Sequence, residues 1–191
     1  MAITYKLLTL EEYLVKDRSA EKHYELIAGK LTEMPPESPQ NAEIAIKLLL
    51  IFARYVSSRL LRCKDTEIVV SGSRATVRLP DLMVLTEDLA NDLYSNNRST
   101  INIDMLPPAL VVEVVSPGKV NRDRDYRYKR SEYAARGIAE YWIVDPEEEK
   151  LTVLLLKDGL YEENVYQDDE IISSALFLQL QLTAKEIFIR E

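Results

Sequence analysis

Soft-metal and redox chemistry have almost nothing to work with in this chain. Its 191 residues include one cysteine, Cys63, and one histidine, His23. A lone cysteine excludes a disulfide framework and a multi-cysteine zinc site. A lone histidine excludes a histidine-based metal cluster and most Cys-His nucleophile schemes, and leaves a Ser-His-Asp triad no choice of histidine. Long apolar runs are missing too. The strongest is LLLIFA at 48–53, far short of the roughly 18 residues that span a bilayer. The opening MAITYKLLTLEEYL is too charged for a signal peptide, so no membrane partner and a cytoplasmic location with a reduced thiol are expected. Basic charge is also in short supply. Lys and Arg total 24 against 32 Asp and Glu, a net charge of −8. That argues against a general nucleic-acid coat protein. A nuclease is still allowed, because it needs only a local basic surface and a bound cation. Repeats, low-complexity tracts and linkers are absent as well.

What is present reads as one globular α/β domain over 1–191, with a mixed central sheet flanked by helices. Thr9 and Glu12 form a capping box, which predicts a short helix after Thr9. HYELIAGKLTEM (23–34) alternates around Ala28-Gly29 and reads as a hairpin. Ser38-Pro39 suit an N-cap and first helical position. Ile44, Leu48, Ile51, Phe52 and Tyr55 then follow at helical spacing, predicting one helix to about residue 61. Residues 67–85 are β-rich, broken at Gly72 and Pro80. ALVVEVVS (109–116) and EYWIVD (140–145) read as buried strands. The helix between them (121–137), with Asn121 as cap and Gly137 as stop, makes a crossover unit of the three. Asp158-Gly159 marks a second hairpin, and the tail from Glu170 reads as one more strand and a helix capped by Thr183 and Glu186.

Two carboxylates interrupt apolar strands: Asp81 in VRLPDLMVL and Glu113 in LVVEVVS. A charge there costs several kcal/mol unless it is paired or bound to a metal. Singly, Glu113 could be a buried salt bridge and Asp81 a turn residue after Pro80. Together, two acids on neighbouring central strands favour a hard divalent cation on oxygen ligands. A cationic partner is then expected. Val115, on the same strand face as Glu113, is not one. Tyr126, Lys129 and Tyr133 share a helical face, so Lys129 points toward Glu113 if the tyrosines pack on the sheet. The competing phase, set by Tyr128 and Ala135, would leave Lys129 solvated. Residues 119–136 hold seven basic side chains against three acids. This is either a patch for phosphate oxygens or an ordinary solvated helix face. Asp123 and Asp125 suit the helix N-terminus. Asp145 before Pro146 reads as a turn residue and Trp142 as core. His23 and Cys63 find no partner of the right type.

PD at 80–81, E-V-V at 113–115, and K-R-S-E-Y at 129–133 ahead of EYWIVDP resemble the PD-(D/E)XK nuclease superfamily. YELIAGKL (24–31), the Ser-Pro before the long helix, VRLPD and VVEVVSP narrow the resemblance to the Uma-type family of restriction endonuclease-like proteins. The resemblance implies a restriction endonuclease-like core. It implies Asp81 and Glu113 as metal ligands, and Lys129 as the motif lysine moved to the following helix. Glu25 would be a further acidic member; without the resemblance it reads equally as a surface carboxylate. Two departures stand out: Val115 occupies the usual lysine slot, and Asn41 stands where many members carry histidine.

The function expected is a Mg2+-dependent DNA endonuclease, with Mn2+ as a substitute and catalytic residues Asp81, Glu113, Lys129 and Glu25. A homodimer would suit cutting both strands of a duplex. The alternatives are a catalytically inactive nuclease-fold module for DNA binding or oligomerisation, and a hydrolase of small phosphoesters.

Overall fold

A computed structural model describes residues 6–16, 23–71, 74–96 and 98–189. The capping box forms as expected: Thr9 accepts from the Glu12 N–H, Glu12 reaches back to Thr9, and helix α1 (Leu10–Leu14) follows. Strands β1 (Tyr24–Ile27) and β2 (Lys30–Glu33) pair with Ile27 opposite Lys30. Ala28 (φ 49°) and Gly29 (φ 84°) are both left-handed, as a two-residue type I′ turn requires. Helix α2 (Pro39–Phe52) starts with proline in its first turn, under a Ser38 cap.

The apolar spacing beyond Phe52 belongs to other elements, so α2 stops well before residue 61. Phe52 is wedged between Trp142 (5.4 Å, edge-on) and Phe177 (4.7 Å), and the chain then turns away. A 3-10 turn (Ser58–Leu60) follows, and Leu61 opens strand β3 (Leu61–Arg62).

The segment 67–85 supplies β4 (Glu67–Ser71), β5 (Thr76–Arg78) and β6 (Leu82–Val84). The expected break at Gly72 lies outside the described residues. Thr86 caps α3 (Glu87–Tyr94), and β7 (Thr100–Ile101) and β8 (Leu110–Val114) come next. The following helix is continuous over α4 (Lys119–Asp123), a wide π turn (Arg124–Lys129) and α5 (Arg130–Arg136). It begins two residues earlier than expected, with Gly118 at the cap position, and the Asn121 amide donates back to the Pro117 carbonyl instead. Gly137 ends it with φ 82°. Strands β9 (Glu140–Asp145), β10 (Lys150–Lys157) and β11 (Leu160–Gln167) and helix α6 (Ala184–Phe188) complete the order. The strand expected after Glu170 is reduced to a single bridge between Ile171 and Thr183.

The class is mixed α/β, with the strands divided between two sheets. One runs β2-β1-β5-β4-β7 and the other β11-β10-β9-β8-β6-β3. Each contains one parallel pair, β4 with β7 and β8 with β9. The division falls at Pro80-Asp81, between β5 in the first sheet and β6 in the second. Proline cannot donate to a ladder, so the strand breaks there.

Strand β8 is apolar throughout because both faces are covered. Leu110, Val112 and Val114 pack with Ile44, Leu48, Phe52 and Trp142. Val111 and Val115 pack on the other side with Met83, Tyr133 and Tyr141. No helix among the described residues is long and apolar enough to cross a membrane.

Candidate active site

The break between the sheets creates the site. Leu82 pairs with Val112 in the antiparallel β6–β8 ladder, so Asp81 stands one step on, across from Glu113. Its Oδ2 accepts the Val114 N–H at 2.6 Å. Glu113 shares its face of β8 with Val111 and Val115. Its Oε1 accepts the Tyr133 hydroxyl at 2.5 Å. Asp81 and Glu113 line one cavity of about 520 Å³, together with Glu25, Glu37, Lys64, Arg124, Lys129 and His23. His23 therefore has a place at the cavity wall that its sequence context did not indicate.

Lys129 is the hub. Its Nζ lies 2.7 Å from Glu113 Oε2, 3.3 Å from Asp125 Oδ1 and 3.8 Å from Glu25 Oε1. The residue is 2% exposed, whereas Tyr128 on the competing phase is 58% exposed. The solvated-lysine alternative is thereby excluded. Burial pulls the ammonium's pKa down, but Glu113, Asp125 and Glu25 outweigh it and hold Lys129 above the usual lysine range. At neutral pH it is a fixed cation and a poor proton acceptor.

Glu25 is buried, which excludes the surface-carboxylate reading. Its Oε2 meets Arg78 Nη1 at 2.8 Å, and its Oε1 lies 3.3 Å from the Leu79 N–H. Burial pushes its carboxyl up, yet Lys129 and then Arg78 more than offset this, so its pKa sits below the ordinary value. Arg78 also grips Glu132 with Nε and Nη2 at 2.8 and 2.9 Å. Arg124 Nε meets Asp125 at 3.3 Å. On the far side of the cavity Lys64 bridges Asp81 Oδ1, at 3.1 Å, and Glu37.

The ion pairs form two separate groups: Lys64 with Glu37 and Asp81, and Arg78, Lys129 and Arg124 with Glu25, Glu132, Glu113 and Asp125. Two of the acids that line the cavity, Asp81 and Glu113, are held above the usual carboxylate range. Asp81 is pushed up by burial, against the pull of Lys64 and Lys129. Glu113 is pushed up by burial and again by Asp81 and Asp125, with Lys129 opposing. Among the described residues no three His, Cys, Asp or Glu side chains converge as a ready metal cage. Even so, hard oxygen donors and an open cavity fit a dication such as Mg2+ and disfavour a soft metal.

The basic helix is largely committed elsewhere. Arg122 pairs with Asp145 and Glu148, Arg130 with Glu163, and Arg136 donates to the carbonyls of Val69, Asn102 and Met105. Of the seven basic side chains, these three are thus already engaged by the fold. Asp145 serves its turn through the Glu148 N–H, and is also a buried anchor for Arg122 and Tyr126. Asp125 is no helix-end charge but a buried partner of Lys129. Its i, i+4 spacing to that lysine was the available signal. Nothing local marks Arg78 or Lys64, whose partners lie far along the chain.

No curated protein matches the chain. A similar solved structure is the crystal structure of "a putative nuclease belonging to DUF820" from Anabaena variabilis ATCC 29413. It is 18% identical with a TM-score of 0.74, covering 95% of this chain and 97% of that one, and establishes the shared fold. The sequence also matches the Uma2 family, described as "Putative restriction endonuclease", over residues 10–185, and the chain belongs to that family.

Proposed function

We propose that the chain is a Mg2+-dependent DNA endonuclease, with Mn2+ able to replace Mg2+. The observation that carries this is the buried Lys129 ammonium, 2.7 Å from Glu113 in a cavity that Asp81 also lines. The family's description and that of the Anabaena variabilis neighbour point the same way. Asp81 and Glu113 would hold the cation, with the Val114 carbonyl beside them as a neutral oxygen donor. The Asn41 amide is 3.4 Å from that carbonyl, a long contact that leaves it a free lone pair. When bound, the ion supplies a water of lowered pKa and charge for the phosphate.

The remaining work falls to the chain's own groups. Lys129 presents a permanent positive charge to the negative charge that develops on phosphorus-bound oxygen. Glu25 and Asp125 hold that ammonium in place, and the Tyr133 hydroxyl fixes the Glu113 rotamer. Arg124, at the cavity wall, is suited to meet a phosphodiester. Two such sites, as in a two-fold dimer, would cut both strands.

The test is cleavage of supercoiled plasmid with and without Mg2+ or Mn2+. Metal-dependent nicking is expected, and Asp81→Ala and Glu113→Gln should abolish it. Lys129→Ala should still bind Mn2+ by calorimetry but lose about 10²–10³-fold in turnover. Glu113→Gln binding Mn2+ like the wild type would overturn the ligand assignment. Duplex binding without cleavage would favour the inactive module. Chromogenic phosphodiesters cleaved without competition from DNA would favour a small-phosphoester hydrolase.

A further inference from the structure

The cavity holds a second ammonium that the chemistry above does not call on. Lys64 sits between β3 and β4 with φ 54°, a left-handed conformation that costs a non-glycine residue about 1–2 kcal/mol. Its side chain, 24% exposed, crosses the cavity mouth to Asp81 and Glu37. Of the two Asp81 oxygens, Oδ2 is taken by the Val114 N–H and Oδ1 by Lys64 at 3.1 Å. The oxygen most available to an incoming cation is therefore the one the lysine already neutralises.

We infer that Lys64 is a tethered counter-cation that competes with the divalent ion for Asp81, and that Glu37 is the carboxylate that retains it when the ion binds. This rests on the metal-site reading above. An ammonium and a dication on one carboxylate oxygen repel each other strongly in a partly desolvated site. One of them must withdraw. The lysine has somewhere to go without losing all its pairing, because Glu37 is bonded to it already. Metal-free protein thus keeps Asp81 paired, and the ion's affinity is set by displacing Lys64 as well as by its ligands. The device costs binding strength and limits the damage an unpaired buried carboxylate would do.

Calorimetric titration of Mn2+ into the full chain tests it, using wild type, Lys64→Met, Glu37→Gln and the double variant. Lys64→Met should bind Mn2+ about fivefold tighter or more. Glu37→Gln should bind more weakly, because Lys64 then has Asp81 as its one carboxylate. In the Lys64→Met background the Glu37→Gln effect should vanish. Unchanged or weaker binding by Lys64→Met, with wild type still binding, would overturn the competition while leaving the metal site standing. A Glu37→Gln effect that survives without Lys64 would overturn the retention role of Glu37. If neither wild type nor Lys64→Met binds Mn2+, the metal reading fails and this inference with it. Urea midpoints confirm that each variant is folded, and Lys64→Gln replaces Lys64→Met if the latter is not.

Discussion

Glu113 feels every force at work in the site. Burial raises its pKa, Lys129 pulls it back, and Asp81 and Asp125 raise it again, leaving it above the usual carboxylate range. A carboxyl with a raised folded value binds its proton more tightly in the native protein than in the unfolded chain. The stability it contributes is full below the ordinary glutamate pKa and is lost as pH rises through the folded value. Metal-free wild type should therefore show a falling urea midpoint as pH is raised from about 5 to about 9. Glu113→Gln should flatten that decline, and saturating Mn2+ should reverse it in wild type alone. Parallel profiles for the two proteins would refute the assignment. Asp81 and Glu113 were legible because a charge inside an apolar strand is anomalous on its face. Lys64 and Arg78 were not, because a lysine or arginine near a strand end is ordinary until its partner is seen.

Among the elements, the helix after β8 departs most from a regular pattern. Its wide turn over Arg124–Lys129 brings Asp125 and Lys129 inward together and puts Tyr128 in solvent. An ordinary α-helical turn advances about 100° per residue and would set residues i and i+4 some 40° apart. Side chains at that spacing already meet on an α-helix, and π turns are found frequently at functional sites. Deleting the exposed Arg127 should restore regular winding and change the spacing of Asp125 and Lys129 from i, i+4 to i, i+3, shifting the ammonium against Glu113. Far-UV circular dichroism is expected to stay near wild type while plasmid cleavage drops on the order of 10²-fold. Undiminished cleavage would mean that the turn does not position the lysine. The existence of this helix and its Gly137 stop were readable from the sequence, whereas spacing left two inward faces open. The extra residue in its turn was not readable, since no residue type encodes a π turn and its alignment is secured by Glu113 and Glu25 on other elements.

At the scale of the whole molecule, the tail is latched onto the second sheet by one buried carboxylate. Glu140 accepts the Trp142 indole N–H at 2.6 Å and the Ala175 and Leu176 N–H groups at 3.0 Å each. The latch brings Phe177, Leu180 and Leu182 against Phe52 and Trp142 in the main core. Glu140→Ala would leave three donors without their acceptor. It should cost about 3 kcal/mol or more, a fall of roughly 6–12 °C in Tm for a chain this size, measured by scanning calorimetry. Glu140→Gln, which keeps one acceptor oxygen, should lose less. A change within experimental scatter for both would show that the tail is held by its apolar contacts alone.

The features that the amino-acid order settled are those whose physics is short-ranged. They include the capping boxes at Thr9 and Thr183, the left-handed turns at Ala28-Gly29 and Asp158-Gly159, and the apolar runs of β8 and β9. Each depends on residues within one turn or strand of one another. Folding in three dimensions decided the rest: the division into two sheets, the early stop of α2, and the pairing of Arg78 with Glu25 and Glu132, 53 and 54 residues away. An ion pair's strength depends on distance and burial, and neither has a value until distant segments have packed.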